Sequence, residues 1–351
     1  MAWLDTADQE YATLTRYNGT ILTLSRIYQE HPESPFQTVK HNTRKSYTDS
    51  LKIIEHTVGN RVIRNVPVVD VKRWHRLWRE PSAQGGPYRI KRAHDAVAML
   101  RMILRFGFVL GHNECGLLDD RLSKVRFEKS GAREQEMNFA QAAAFVRKAL
   151  EMGASGAIPE IRAKSMALGV AAQFDLLLRQ KDIIGEWVPA TPETQDAEYF
   201  GDEMWLGRFR WDRIPGWKLR LKTSKTRSVI EFDLTNYTLL FPLLESIPLH
   251  ERVGSIIKGD GRQPIRERSY RKWFREIARA AGIPDDVWSM DTRAGGATEA
   301  DEAGADLKAI SDHLTHSEVK TTVRYIRRVG ARTASVAEAR NRKRQADEGS
   351  A

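Results

Sequence analysis

The side chains with the clearest chemical potential lie near the end of the chain. Arg293 follows Met290-Asp291-Thr292 and precedes a run of small residues, and His316 stands nine positions before Tyr325. A tyrosine hydroxyl can act as a nucleophile. An arginine stays charged and can donate two hydrogen bonds to a phosphate. Taken alone, each residue also has a structural interpretation, Tyr325 as a half-buried core side chain, so the interpretation depends on the spacing of the whole set.

This spacing resembles the C-terminal signature of the tyrosine recombinases, the phage integrase family. The family signature reads H-x-x-R, a helical stretch, L-G-H-S, and a tyrosine nine residues after that histidine. Leu314-Thr315-His316-Ser317 followed by Tyr325 is similar to the second part, with threonine in place of glycine. Arg293 corresponds to the arginine of the first part, but Met290 stands where the family has histidine. Methionine does not usefully donate or accept a proton, so the family's usual acid–base helper is missing here.

Two upstream stretches extend the resemblance. Leu178-Arg179-Gln180-Lys181-Asp182 is similar to the family's G-L-R-x-x-E, in which the acid orients the site. Ser224-Lys225-Thr226-Arg227 lies between strand-like segments and resembles the family hairpin S-K-T-G. By this resemblance Lys225 is the general acid, since a lysine on a hairpin can reach a leaving oxygen. Lys222 remains a close alternative, because aligning on the first lysine changes little.

The resemblance implies that Tyr325 attacks a DNA phosphate and forms a covalent 3′-phosphotyrosine. Arg179, Arg293 and His316 would bind the phosphate oxygens, and Asp182 would support them. Arginines can stabilise the developing charge, so we expect neither a metal ion nor a cofactor. The implied partners are double-stranded recombination sites and other copies of the chain in a synaptic homotetramer. A directionality factor or a host DNA-bending protein is left open.

The implied function is that of a site-specific recombinase, the integrase of a phage or another mobile element. Two alternatives stay open. A type IB topoisomerase uses similar chemistry, but it relaxes supercoils as a monomer without choosing a site. A catalytically inactive DNA-binding protein could retain the same clamp, and Met290 favours that alternative.

Composition limits the class of protein. The 351 residues suffice for two ordinary domains, and 41% are hydrophobic. No apolar run approaches the roughly 20 residues that span a bilayer, and the first residues lack the pattern of a signal peptide. Cys115 is the single cysteine, which excludes an intrachain disulfide and a Cys-rich metal site. These features predict a cytoplasmic protein without membrane contact, and the resemblance implies a bacterial protein associated with the nucleoid.

The net charge of +10 is concentrated in one segment. Residues 37–95 hold 13 Lys or Arg and 5 Asp or Glu, a net charge of +8. Such cations can neutralise phosphates and release counterions, which drives sequence-independent DNA affinity; the alternative is a solvated basic face. The predicted DNA contacts are Lys222 and, within this segment, Arg44, Lys45, Lys72, Arg73, Arg76, Arg79, Arg89, Lys91 and Arg92.

Hydrophobic periodicity gives the expected organisation. Apolar residues spaced by three and four predict helices in the first third of the chain. Alternating aromatic and aliphatic residues between Glu198 and Leu234 predict a small antiparallel sheet. We therefore expect an α-helical N-terminal core-binding bundle and a mainly helical α+β catalytic domain, with the SAM-like and DNA breaking-rejoining folds that the resemblance implies. The predicted parts are a helical lead-in (1–35), the core DNA-binding domain (36–112), a linker (113–136), the catalytic domain (137–330) and a C-terminal helix or tail (331–351) that docks on a neighbouring copy.

Overall fold

The computed structural model describes residues 16–191, 197–326, 340–342 and 345. The chain divides into two compact units, residues 1–131 and 132–351. The start of the predicted lead-in and nearly all of the predicted C-terminal docking segment lie outside the described residues. Within the described residues, no helix combines the length and apolar character needed to cross a membrane.

The first unit is a helical bundle around one core. The 20-residue helix α4 packs against the other four helices of the bundle. Apolar residues recur along α4 every three or four positions, from Ala93 to Phe106, and these residues are buried. The expected helical bundle is therefore confirmed. Its helices are α1 (Ile21–Glu30), α2 (His41–Val58), α3 (Val68–Arg79), α4 (Ile90–Val109) and α5 (Asn113–Ser123).

Two of these helices correct the predicted boundaries. Helix α1 belongs to the core of the first unit rather than to a separate lead-in, since Ile21 and Leu24 are fully buried. Helix α5 occupies the first 11 residues of the predicted linker. Its polar residues suggested a linker, but Cys115, Leu118 and Leu122 form a stripe at i, i+3 and i+7 that packs into the same core.

The second unit combines helices with small sheets, as expected. Helix α7 is central: every residue from Ser165 to Phe174 is buried, and the helix packs against α6, α10 and α11. The helices are α6 (Phe139–Ala154), α7 (Glu160–Asp175), α8 (Gln180–Ile184), α9 (Phe241–Glu245), α10 (Glu267–Ala280), α11 (Thr292–Glu302), α12 (Leu307–His313) and α13 (Val319–Val323).

The described strands form two antiparallel sheets. One has the order β1–β3–β2, from strands β1 (Glu186–Pro189), β2 (Glu198–Phe200) and β3 (Glu203–Leu206). The other is a hairpin of β4 (Lys218–Lys222) and β5 (Val229–Asp233), with Lys222 paired to Val229. Leu219 and Leu221 of β4 point into the core, so the intervening Lys218, Arg220 and Lys222 lie on the exposed face. The hairpin presents its connecting residues 223–228 as one loop.

Helix α11 depends on two glycines for its close packing. A Cβ atom at Gly295 would stand 1.7 Å from the carbonyl oxygen of Met137, and one at Gly296 would stand 2.3 Å from that of Phe174. Larger residues at these positions would therefore push the helix away from the chain before α6 and from the end of α7. The run of small residues after Arg293 thus fixes where the first turn of α11 lies.

Candidate active site

Arg293 is a buried cation in the first turn of α11. Its side chain is 3% exposed, and Nη2 donates a hydrogen bond to the carbonyl oxygen of Leu314 (2.5 Å). Its guanidinium carbon lies 5.3 Å from the centre of the Tyr325 ring. Burial and the like charge of Arg179 lower the pKa of Arg293 to about 10. The guanidinium therefore stays charged at neutral pH, in a place where its charge is poorly solvated.

His316 follows α12 and faces Arg293. Nη2 of Arg293 lies 3.3 Å from Nε2 of the histidine, and Nδ1 lies 2.9 Å from Oγ1 of Thr322. Burial first, then the charges of Arg293, Arg179 and Lys225, lower the pKa of His316 to about 4, so the ring is neutral at pH 7. An arginine can only donate, so Nε2 accepts and the proton resides on Nδ1, which donates to Thr322.

Tyr325 lies two residues after the end of α13, beside His316. The two ring centres are 5.0 Å apart, at an interplanar angle of 41°. The backbone N–H of Tyr325 donates to the carbonyl of Thr322 (2.8 Å), and its ring packs on a small apolar cluster that includes Leu314. The predicted spacing of nine residues therefore lets one short helix bring the tyrosine back to the histidine. The tyrosine itself follows the helix rather than lying within it.

Arg179 and Asp182 come from the start of α8. Arg179 is the N-terminal capping residue, and its Nη1 donates to Oγ1 of Thr315 (3.3 Å). Asp182 is fully buried, and its Oδ1 accepts the backbone N–H of Ser224 (2.6 Å). The acid therefore holds the β4–β5 loop, while the arginine reaches the segment that carries His316.

The two candidate lysines occupy different positions on the hairpin. Lys225 lies in the loop, close enough for its charge to contribute to the lowered pKa of His316. Lys222 ends β4 on the exposed face of that strand. Of these two, Lys225 is therefore the lysine that the hairpin presents toward His316.

Met290 leaves the expected histidine position without a titratable group. Its side chain is 55% exposed, in a short 3-10 turn before α11. The neighbouring Asp291 is buried and accepts hydrogen bonds from Nε of Arg133 (2.9 Å) and from the backbone N–H of Trp288 (2.8 Å). Ser289 donates its hydroxyl to Gln180 (3.1 Å). Both neighbours of Met290 are therefore already engaged in holding the turn.

His313 has a structural setting. It is largely buried between the rings of Phe232 and Tyr237, and burial lowers its pKa. The sequence did not single out Thr315 or Thr322 as site residues, although both contact predicted catalytic side chains. Thr315 carried a signal, since it replaces the glycine of the family pattern. Thr322 carried none.

The predicted DNA contacts of the first unit fall into two groups. Four of them hold local structure. Arg44 donates to the carbonyl of Gln37, and Arg79 pairs with Glu128. Arg89 and Arg92 donate to the backbone carbonyls of Glu80 and Trp78. The others are exposed on helical surfaces, two of them in ion pairs with acids one turn away. This exposed group is Lys45, Lys72, Arg73, Arg76 and Lys91.

No cluster of three or more His, Cys, Asp or Glu residues suited to a metal ion occurs among the described residues. The side chains that meet around Arg293 are instead cations, a neutral histidine, a tyrosine and hydroxyls. Such a set can bind and polarise an anion and offer a nucleophile to it.

Comparisons with known proteins bear on this arrangement. The model of the phage integrase family matches residues 217–331, which include Lys225, Arg293, His316 and Tyr325. No curated protein matches the chain by sequence. A lambda integrase dimer bound to a COC′ core site is similar in structure, with a TM-score of 0.64 and 14% identity over 92% of this chain and 85% of that chain. A lambda integrase tetramer bound to a Holliday junction is also similar, with a TM-score of 0.64 and 16% identity over 90% of this chain and 80% of that chain.

The Tn1549 transposon integrase in complex with transposon right end DNA has a TM-score of 0.59 and 13% identity, over 92% of this chain and 99% of that chain. At identities this low, the structural similarity shows a common fold and nothing more. The matched segment places the signature residues within that fold. Residues 217–331 therefore match the phage integrase family, in agreement with the resemblance to tyrosine recombinases, and the chain shares the fold of these integrases.

Proposed function

We propose that this protein is a site-specific DNA recombinase that cuts and rejoins strands through a covalent 3′-phosphotyrosyl intermediate. The observation that carries the proposal is the gathering of Arg179, Arg293, His316 and Tyr325, with the Lys225 loop held beside them. These residues come from well-separated parts of the second unit. Their convergence supports a common task for them on one phosphate.

In the proposed reaction the Tyr325 oxygen attacks the phosphorus. A bond from phosphorus to that oxygen forms, and the bond from phosphorus to the 5′ oxygen breaks. Lys225 gives a proton to the leaving 5′ oxygen. Arg179 and Arg293 donate to the non-bridging oxygens, where negative charge develops in the transition state. The new ester keeps the energy of the broken one, so a free 5′ hydroxyl can reverse the step without ATP.

His316 enters this reaction as a neutral ring whose Nε2 accepts from Arg293. To donate to a phosphate oxygen, Nε2 must carry a proton. An approaching phosphate raises the pKa of a nearby histidine, because it stabilises the charged form. We infer that phosphate binding draws Arg293 from the ring to the phosphate, and that Nε2 of His316 then takes up a proton from water.

Met290 affects the fate of the tyrosine proton. With no acid–base side chain at that position, the proton of Tyr325 has to pass to water. The exposure of Met290 supports access of water to this edge of the site. The substitution therefore changes the route of one proton but leaves the phosphate-binding cations in place.

The proposed substrate is double-stranded DNA bound by both units. The exposed cations of the first unit, such as Lys72 and Arg76 on α3, supply the electrostatic attraction. The similar structures described above are DNA-bound integrases, one of them a tetramer on a Holliday junction. By analogy, we infer that four copies of this chain assemble on two sites, in a cytoplasmic compartment.

The decisive experiment uses a nicked DNA duplex that traps the covalent adduct. The wild-type protein should form the adduct, and Tyr325→Phe should bind the same DNA without forming it, since the ring and its packing are kept. Tyr199→Phe is the matched control, because that tyrosine is exposed and donates to the carbonyl of Thr191 (2.9 Å), away from the residues around Arg293. An adduct from Tyr325→Phe would refute the assignment of the nucleophile.

The same protein distinguishes the alternatives. Strand exchange between two copies of one DNA site indicates a recombinase. Relaxation of supercoiled plasmids of any sequence, without exchange, would indicate a topoisomerase. Binding without any adduct in the wild type would indicate an inactive DNA-binding protein.

A further inference from the structure

Thr315 has an unusual backbone conformation for its residue type. Its φ is +53°, in the left-handed region, and its side chain is buried. A β-branched residue is strained there, and the family pattern has glycine at this position, which would adopt the conformation without strain. Strained conformations persist where the surrounding structure holds them, and they concentrate at functional sites. The strain at Thr315 therefore makes its hydroxyl a candidate for a functional role.

That hydroxyl joins two parts of the site. It accepts a hydrogen bond from Nη1 of Arg179 (3.3 Å) and another from Oγ1 of Thr226 (3.4 Å). Thr226 is in turn bonded to the hydroxyls of Thr223 (2.8 Å) and Ser228 (3.1 Å). Thr223, Thr226, Ser228 and Thr315 thus form a hydroxyl cluster, which ties the loop of the β4–β5 hairpin to the segment that holds His316.

Among the described residues, hydrogen bonds attach this loop to the rest of the unit at both of its ends. Asp182 accepts a hydrogen bond from the N–H of Ser224 at the start of the loop. Thr315 accepts one from the hydroxyl of Thr226, nearer the end of the loop. Lys225 stands between these two attachments. Because the lysine is exposed and on a long flexible stem, the position of its ammonium group depends on how firmly the loop backbone is held.

We propose that Thr315 is a positioning residue for Lys225: its hydroxyl fastens the lysine loop against Arg179. This proposal rests on the proposed function for its consequence in catalysis, but the fastening itself is a property of the free protein. The hydroxyl that replaces the family's glycine strains the backbone and holds the general acid in place.

Three variants separate the hydroxyl from the backbone. Thr315→Ser keeps the hydroxyl, Thr315→Ala removes it in a residue that still has a Cβ atom, and Thr315→Gly removes it and also relieves the strain. We expect adduct formation to stay within about twofold of wild type in the serine variant. It should fall about tenfold to a hundredfold in the alanine and glycine variants, the loss typical of a hydrogen bond to a charged group. The glycine variant should unfold at a temperature equal to or above that of the serine variant.

A 5′-phosphorothiolate substrate tests the route through Lys225. Its leaving thiolate needs little protonation, so the defect of Thr315→Gly should largely disappear on that substrate. A defect of equal size on both substrates would overturn the role in placing Lys225. Equal rates for the serine and glycine variants on the ordinary substrate would overturn the role of the hydroxyl.

Hydrogen exchange of the free protein tests the fastening independently of any reaction. The N–H groups of Thr223 and Arg227 are bonded within the loop, so a peptide spanning 219–232 should exchange about tenfold faster in Thr315→Gly than in Thr315→Ser. Unchanged exchange would refute the fastening. If exchange increases while even the wild type forms no adduct, the fastening stands and the proposed function fails.

Discussion

Arg293 offers a sharp test, because its contribution to catalysis should be large whereas its contribution to stability should be small. Arg293→Met removes the charge but keeps an unbranched apolar stem beside the Tyr325 ring. Loss of one preorganised donor to a developing oxyanion costs about 2.7–4 kcal/mol, so single-turnover adduct formation should slow about a hundredfold to a thousandfold. DNA affinity should fall much less.

Two opposing terms decide the stability of this variant. The substitution leaves the buried carbonyl of Leu314 without its donor, which costs about 1–3 kcal/mol. It also removes a cation whose pKa is lowered from 12.5 to about 10 by burial and by Arg179. Removal of that poorly solvated charge acts in the other direction and offsets part of this cost. The free energy of unfolding should therefore fall by less than about 3 kcal/mol.

Arg162 is the matched control, as a partly buried arginine of the same unit with the opposite electrostatics. It pairs with Asp260, which raises its pKa, and it stacks on Trp273. Arg162→Met should lower stability and leave the cleavage rate unchanged. Urea unfolding and adduct formation would be measured for both variants. A loss of more than about 4 kcal/mol in Arg293→Met, or a rate loss under about tenfold, would refute the reasoning.

Further outcomes follow from the same geometry. On a 5′-phosphorothiolate substrate the defect of Lys225→Ala should largely vanish; rescue of Lys222→Ala instead would make that lysine the acid. Alanine at exposed cations of the first unit should reduce the slope of log K for DNA binding against log salt by about 0.9 for each phosphate that is no longer neutralised. Alanine at Arg89 or Arg92 should chiefly lower stability. An unchanged slope for the exposed cations would show that they form only a solvated face. The exposed cations to change are Lys45, Lys72 and Arg76. The pKa of His316 is lowered from 6.5 to about 4. Between pH 6.5 and 4, this histidine therefore binds a proton in the unfolded chain but not in the folded protein. The free energy of unfolding should fall by about 3 kcal/mol as the pH drops from 6.5 to 4, and by less in His316→Gln; equal acid sensitivity would contradict the low pKa.

The sequence by itself determined the class of fold and the residues to examine. Helices of the first unit follow from apolar residues at three- and four-residue spacing, because that period alone places them on one face. Arg293, His316 and Tyr325 were recognisable because their mutual spacing is local along the chain and few other patterns share it. Met290 was equally visible as a departure from that pattern.

Only the tertiary structure decided which side chains do more than their type suggests. It moved α5 from a predicted linker into the core of the first unit, since a stripe of three apolar residues is too short to be distinctive in the sequence. It separated Lys225 from Lys222, and the exposed cations from those that bind backbone carbonyls. It brought Thr315 to Arg179, 136 positions away. Hydrogen bonds between residues so distant in sequence depend on how the elements pack, and no local pattern of residues encodes them.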